Sequence, residues 1–311
     1  MPIAIGFDTS NYTTSVAYFD GENGRNVSRL LDVPEGGLGL RQSDALFQHV
    51  KHLPELTDTL MDEKAPASFH AVGASTRPRE VEGSYMPCFL AGESQAKSLS
   101  HVLDLPFFSV SHQQGHVAAA AWSAGRMDLL DTPHLAWHLS GGTTELLYIE
   151  PDGSLVKAMQ IGGTKDISAG QLIDRTGKRL GLAFPAGKAV DALSLEASKE
   201  LSFSVKVTDA SFSFSGLENK MNAMAEQGET AADICRFILL SILRAVDLAT
   251  AQAFKQHPGL PLLCAGGVAS NRLLRKRMQT AHNALFAEPV YSTDNAMGTA
   301  ILAHRMLERT R

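Results

Sequence analysis

Two short segments about 130 residues apart repeat one another, and this repetition restricts the fold more than any single motif. Ile3-Ala4-Ile5-Gly6-Phe7 reads as an apolar strand. Asp8 to Ser15 reads as a polar turn rich in hydroxyls, and Val16-Ala17-Tyr18-Phe19 as the return strand, closed by the turn signal Asp20-Gly21. Leu135 to Leu139, Ser140-Gly141-Gly142-Thr143-Thr144-Glu145 and Leu146 to Glu150 follow the same plan. Aligned on the serines, Ser10/Ser140, Thr13/Thr143, Thr14/Thr144 and Tyr18/Tyr148 are identical, and Asp20 matches Glu150 in charge. Two copies of a hairpin-led α/β unit predict two similar domains facing each other across a cleft. The hydroxyls and glycine amides of both tips would then suit a phosphate.

The chemistry-bearing stretch is Ser111-His112-Gln113-Gln114-Gly115-His116, which follows a strand (Pro106 to Val110) and opens an Ala-rich helix. Two histidines four apart share one helix face, so both imidazoles can reach one metal ion. Two ordinary histidines at a helix start would look the same. A zinc protease is excluded, because its motif needs a glutamate directly after the first histidine and Gln113 stands there. A third ligand must come from elsewhere. Asp294, expected at a strand-to-helix junction before the last helix, is the candidate, with a plain N-cap as its other reading. Two histidines and one carboxylate suit iron with open positions and can also hold zinc.

The rest of the chain reads as alternating helices and strands: helices over 43–63, 89–102, 168–180, 217–224 and 231–254, and strands at 71–74, 155–160, 211–216 and 261–265. Glu35 to Gly39 reads as a loop. The strand at 261–265 runs into Gly266-Gly267-Val268-Ala269-Ser270-Asn271 and a helix, a good element for a nucleotide, although such a turn also serves tight packing alone. Net charge is −5, so nucleic-acid contact would need local basic patches. Arg175, Lys178 and Arg179, with Arg272, Arg275, Lys276 and Arg277, are the candidates; solvated surface charge is the alternative. Three cysteines without paired spacing fit a reducing compartment. No signal pattern is visible, and no apolar run approaches the about 20 residues of a membrane span. These features predict a cytoplasmic protein with no membrane partner.

Taken together and in order, His112 to His116, Leu139-Ser140-Gly141-Gly142, Asp174, Phe184-Pro185-Ala186-Gly187, Phe212 to Leu217, Ala265 to Asn271 and Thr293-Asp294-Asn295 resemble the TsaD/Gcp family over nearly the whole chain. That family is the catalytic subunit of tRNA N6-adenosine threonylcarbamoyl transfer, formerly described as an O-sialoglycoprotein endopeptidase. The resemblance implies an α/β fold, the duplicated actin-like ATPase (actin, sugar kinase, heat-shock chaperone) fold, around a nucleotide-binding cleft. It implies domains at 1–128 and 129–311, the last helix (about 295–311) packing back on the first and a helical insertion at about 165–230. It implies metal ligands at His112, His116 and Asp294, with iron or zinc bound. It implies contacts to ATP, AMP or threonylcarbamoyl adenylate from His138, Leu139, Ser140, Gly141, Gly142, Asp174, Gly187 and Asn271. Partners would be tRNA and TsaB-, TsaE- and TsaC-like proteins.

The chain departs from the family pattern at three places. Tyr12-Thr13 stands where the family carries Asp-Glu, Thr143 where it carries histidine after Ser-Gly-Gly, and Gln171 where its helix carries glutamate. Two functions therefore compete: a threonylcarbamoyl transferase, and an altered paralogue that binds nucleotide as a partner or regulator. Fold and site analogy do not choose between them.

Overall fold

The structure is a computed structural model that describes residues 1–10, 12–33, 40–62 and 65–310. The loop expected over Glu35 to Gly39, together with Asn11 and Glu63, lies outside the described residues. The chain divides into two compact units. The first comprises Met1–Thr132, Glu150–Ala158 and Asp294–Arg311; the second comprises Pro133–Ile149 and Met159–Thr293.

In the first unit, β1 (Ala4–Ser10), β2 (Thr13–Phe19) and β3 (Gly24–Leu30) form an antiparallel meander. α1 (Gln42–Leu60), β4 (Ala71–Arg77), α2 (Phe89–Leu103), β5 (Phe107–Ser111) and α3 (His112–Ser123) follow. The sheet order is β3-β2-β1-β4-β5, with β1, β4 and β5 parallel. Apolar residues of β1, β2 and β4 (Ile5, Phe7, Val16, Val72, Ala74) pack on Leu53, Leu56 and Leu60 of α1 and Ala91 and Ala96 of α2. Ala4 and Ala71 pack instead with Ala303 and Leu307, which lie on α9 (Met297–Thr310).

The second unit holds β6 (His134–Leu139), the greater part of β7 (Thr144–Asp152) and of β8 (Leu155–Thr164), α4 (Ala169–Arg179), α5 (Gly187–Leu193) and β9 (Ser211–Phe212). α6 (Ser215–Glu226), α7 (Ala231–Gln256), β10 (Leu262–Ala265), α8 (Arg272–His282) and β11 (Leu285–Phe286) complete it. Its sheet runs β11-β10-β6-β7-β8-β9. Read from the other edge, β8-β7-β6-β10-β11 reproduces β3-β2-β1-β4-β5, with β9 added beyond β8. The duplication extends to register. Ala4 faces Phe19 and Thr9 faces Thr14; His134 faces Ile149 and Leu139 faces Thr144, each residue standing 130 positions after its counterpart in the first copy's ladder. The serine alignment of the two sequences is thus the structural alignment of the two hairpins.

Several elements differ from the sequence expectation for physical reasons. The first turn is far tighter than Asp8 to Ser15, because Asp8, Thr9 and Ser10 stay in the ladder opposite Ser15, Thr14 and Thr13. Its hydroxyls are buried, and three are bonded within the unit: the Thr9 hydroxyl donates to the Cys88 carbonyl at 3.0 Å, Thr14 Oγ1 lies 2.8 Å from His49 Nδ1, and the Ser15 hydroxyl donates to the Asp8 carbonyl at 3.3 Å. Hydroxyls so buried do not face outward from the turn. β8 continues through Gly162 and Gly163 to Thr164. The strand expected over 211–216 is two residues long, because Asp166 accepts the Phe214 and Ser215 N–H groups at 2.8 and 3.0 Å and starts α6 there. Asp294 follows a 3-10 turn, Pro289–Tyr291, and not a strand. Among the described residues no helix is long and apolar enough to cross a membrane.

Candidate metal centre

Three adjacent parallel strands bring their carboxyl ends to one edge of the first sheet, the usual place for a site in an open α/β sheet. Asp8 sits near the end of β1, and His112 follows directly on β5. Ser111 caps α3 through a capping box: Gln114 N donates to Ser111 Oγ at 3.3 Å, and Ser111 N donates to Gln114 Oε1 at 2.9 Å. This ties down the first turn, so His112 and His116 project from one face. Their rings meet edge to face with centroids 4.3 Å apart, and their Nε2 atoms are 2.9 Å apart.

The third group arrives through a close approach of α3 and α9. A Cβ on Gly298 would stand 1.8 Å from the Gly115 carbonyl oxygen, so only glycine lets the two backbones touch. That contact sets Asp294, just ahead of α9, beside the histidines: its Oδ1 is 3.2 Å from His116 Nε2 and 3.5 Å from His112 Nε2. The N-cap reading of Asp294 is not realised. Met297 N donates to the Asn295 side chain at 3.1 Å, and Ala296 N donates to Asn26 Oδ1 at 2.9 Å. One ligand atom each from His112, His116 and Asp294 lies within 4.8 Å of the others, an arrangement that could hold a metal ion.

Behind this trio stands Asp8, which in sequence is an acid at the start of a polar turn. Asp8 Oδ2 lies 2.8 Å from His112 Nδ1, and Asp8 Oδ1 accepts the Ser10 N–H at 3.0 Å. Side-chain exposure rises from 1% at Asp8 through 8% at His116 and 18% at His112 to 31% at Asp294, so the centre opens on the Asp294 side. Burial alone would disfavour the charged forms. For His112 it is outweighed by the charge of Asp8 and by hydrogen bonds to Asp294 and Asp8, which push the imidazole up to about 10. Burial likewise acts against the Asp294 carboxylate, yet its bonds to both histidines hold it well below the usual range. The two carboxylates therefore favour positive charge at His112. A divalent cation would satisfy the same demand, and a donor set of two nitrogens and one oxygen suits iron or zinc.

The residues expected at a nucleotide all lie in the second unit. The β6–β7 turn is closed by Ser140 N donating to the Thr143 carbonyl at 2.8 Å and Thr143 N to Ser140 Oγ at 3.1 Å. Gly141 and Gly142 are exposed. His138 pairs with Glu145 and Ala265 in the sheet, while the Leu139 side chain is core, leaving that residue only its backbone to offer. Ser168 Oγ donates to the Gly141 carbonyl at 2.6 Å, linking the turn to the cap of α4. On α4, Asp174 accepts the Ala186 N–H at 2.8 Å, directly before Gly187 at the start of α5; burial raises its carboxyl. Asn271 caps α8 through the Leu274 N–H and donates to Asp191 of α5 at 2.5 Å. These contacts join the nucleotide-candidate turns and helices into one connected series within the unit. In the Gly-Gly turn, Gly266 serves packing: its φ is +99°, and a Cβ would stand 2.1 Å from the Leu139 carbonyl oxygen. Gly267 faces open space.

The basic residues considered for nucleic acid are mostly engaged within the protein. Arg175 bonds Glu218, Arg272 bonds Asp191 and Arg277 bonds Asp247, at 2.8, 2.8 and 2.9 Å. Arg275 lies 4.7 Å over the Phe286 ring. Cys88, Cys235 and Cys264 are buried and free, and burial raises all three thiols, so none is a ready nucleophile.

Solved structures with this architecture include HypF from T. kodakarensis (TM-score 0.63, 15% identity, 99% of this chain and 48% of that one). A ROK hexokinase from Thermus thermophilus matches with TM-score 0.51 and 16% identity, covering 99% of each chain. Component A of the Acidaminococcus fermentans (R)-2-hydroxyglutaryl-CoA dehydratase matches with TM-score 0.58 and 13% identity, over 99% of this chain and 100% of that one. At such identities they show the fold alone, the duplicated actin-like and sugar-kinase fold. Sequence comparison goes further. The family model described as TsaD, tRNA N6-adenosine threonylcarbamoyltransferase, matches residues 34–301. A protein of that name from Thermus thermophilus is 32% identical over 98% of this chain and 93% of its own length. One from Enterococcus faecalis is 35% identical over 67% of this chain and 62% of its own length. This chain belongs to the TsaD family of tRNA N6-adenosine threonylcarbamoyltransferases.

Proposed function

We propose that the chain transfers threonylcarbamoyl from its adenylate to N6 of the adenosine beside the tRNA anticodon, at a metal held by His112, His116 and Asp294. The observation that carries this reading is the convergence of those three ligand atoms within 4.8 Å in a member of this family. A bound divalent iron or zinc would supply Lewis-acid polarisation of the substrate carbonyl. In the transfer a bond forms between N6 and the carbamoyl carbon, the bond from that carbon to the AMP phosphate oxygen breaks, and N6 gives up a proton. The exposed Gly141 and Gly142 amides, beside the Ser140–Thr143 turn, are suited to hold the departing phosphate by fixed donors. Asp174, Gly187 and Asn271 would meet the nucleoside, and His138 and Leu139 would shape the turn. The exposed Asp294 side of the centre leaves room for tRNA. TsaB-, TsaE- and TsaC-like proteins would be partners in the pathway, and the cytoplasm its place.

A second reading, an altered paralogue that binds nucleotide without transfer, is favoured by the fate of the three departures. Thr13 is buried in the β2 ladder, Thr143 closes a turn, and the Gln171 side chain accepts the Ser168 N–H in the capping box of α4. Thr13, Thr143 and Gln171 have no carboxylate or imidazole proton to give. The test is to incubate metal-loaded protein with threonylcarbamoyl adenylate, unmodified tRNA and the partner subunits, and then to analyse nucleosides. Threonylcarbamoyl-adenosine is expected. Its absence, with nucleotide still bound, establishes the second reading instead.

A further inference from the structure

Resting on that proposed metal centre, we infer that Asp8 is its positioning residue: the buried carboxylate fixes the tautomer and direction of His112 so that Nε2 faces the ion. The contact spans 104 positions of sequence and is made at 2.8 Å by a carboxylate that is 1% exposed. An ionised carboxylate has no proton to give, so the hydrogen in this bond sits on Nδ1. The lone pair available for a ligand is then on Nε2, which is the atom that meets His116 and Asp294. Asp8 is itself held: its other oxygen accepts the Ser10 N–H at 3.0 Å, and the residue lies in the ladder opposite Ser15. Phe89, whose ring centroid is 6.0 Å from that of His112, walls the imidazole. Support of this kind orients a ligand histidine and raises its basicity towards the metal.

The duplication makes the assignment specific to the first unit. The residue at the same register of the second hairpin is His138, opposite Glu145 as Asp8 is opposite Ser15. A buried acid is therefore not a requirement of the hairpin. It stands only in the copy whose sheet, at β5, leads into a histidine pair.

The test uses the full chain, stripped of metal and titrated with zinc against a chromophoric chelator. Asp8→Asn keeps the shape and an acceptor for Ser10 N, and is expected to weaken zinc about 10- to 100-fold, while the metal-free melting temperature stays within a few degrees. In a His112→Ala background, Asp8→Asn should change zinc affinity no further, because the residue acts through His112. Zinc affinity unchanged by Asp8→Asn overturns the inference, as does an equal loss in the His112→Ala background. Should wild type bind zinc no more tightly than His112→Ala and Asp294→Ala, the metal centre itself is wrong. A loss confined to those two variants rejects the role of Asp8 alone.

Discussion

The two hairpins share a register and differ in what their tips do. In the first, every described residue from Asp8 to Ser15 except Tyr12 is buried, and the hydroxyls of Thr9, Thr14 and Ser15 are bonded inside the unit. In the second, the equivalent tip is open, with Gly141 and Gly142 exposed. The identical pair Thr14 and Thr144 shows the divergence most directly. Thr14 meets His49 of α1, while Thr144 Oγ1 accepts the Ala169 N–H at the start of α4, at 2.8 Å. In each unit the threonine pins the helix that follows the meander. The chemistry around the pin has separated: one tip turns an acid towards a histidine pair, and the other presents backbone amides. Duplication preserved the ladder because register is set by alternation and turn length. It left the tips free to change.

That contrast can be broken at several depths. The largest effect should come from Gly298→Ala. Its Cβ would overlap the Gly115 carbonyl at 1.8 Å between backbones with no flexible side chain to yield. A loss of about 3 kcal/mol or more is expected in denaturant unfolding, with metal content falling because Asp294 moves with α9. Next come Thr14→Val and Thr144→Val. Each removes a buried hydroxyl and strands its partner, at about 1–3 kcal/mol, also read by denaturant unfolding. If the hairpins pin their helices equivalently, the two losses match; a loss at only one site would show that the repeat no longer works in the same way.

A pH effect follows from His49, which belongs only to the first hairpin's side of the comparison. Burial, partly opposed by the charge of Asp8 and a bond to Ser10, holds this imidazole down to about 4, against 6.5 in an unfolded chain. The unfolded state therefore binds more protons between those values. The contribution is constant above the unfolded value and is lost as pH falls towards about 4. Stability measured from about pH 7 to about pH 4.5 should decline more steeply in wild type than in His49→Gln; equal slopes would refute the assignment. The smallest effect is expected at Gly141→Ala. A Cβ there meets nothing within 4 Å, so stability should change by less than about 0.5 kcal/mol. Calorimetric titration should nevertheless show weaker AMP binding if the second tip holds the nucleotide.

Much of the architecture was legible because it depends on local patterns. Apolar runs and periodicity located most strands and helices, and Ser10/Ser140 aligned the repeat. What failed was local in appearance but decided elsewhere. The polar stretch from Asp8 to Ser15 resembles an open turn, yet α1 and α2 cover it, and burial draws its hydroxyls into the ladder. The segment Ser211 to Gly216 alternates like a strand, yet Asp166, more than 40 residues earlier, captures its N–H groups and starts a helix. Arg175, Arg272 and Arg277 read as unpaired charges along the sequence, yet each has an acidic partner that only the fold brings to it.

The same division holds for the centre. Sequence alone determined that His112 and His116 share a face, because helical geometry follows from spacing, and it nominated Asp294 from its place before the last helix and from family resemblance. Only the tertiary structure decided that Asp8 completes the group and that Gly115 and Gly298 let α9 bring Asp294 within reach. The reason is physical. A ligand pair one helical turn apart is set by the backbone that carries it, whereas the carboxylates come from opposite ends of the chain and meet only when parallel strands and two touching helices are packed.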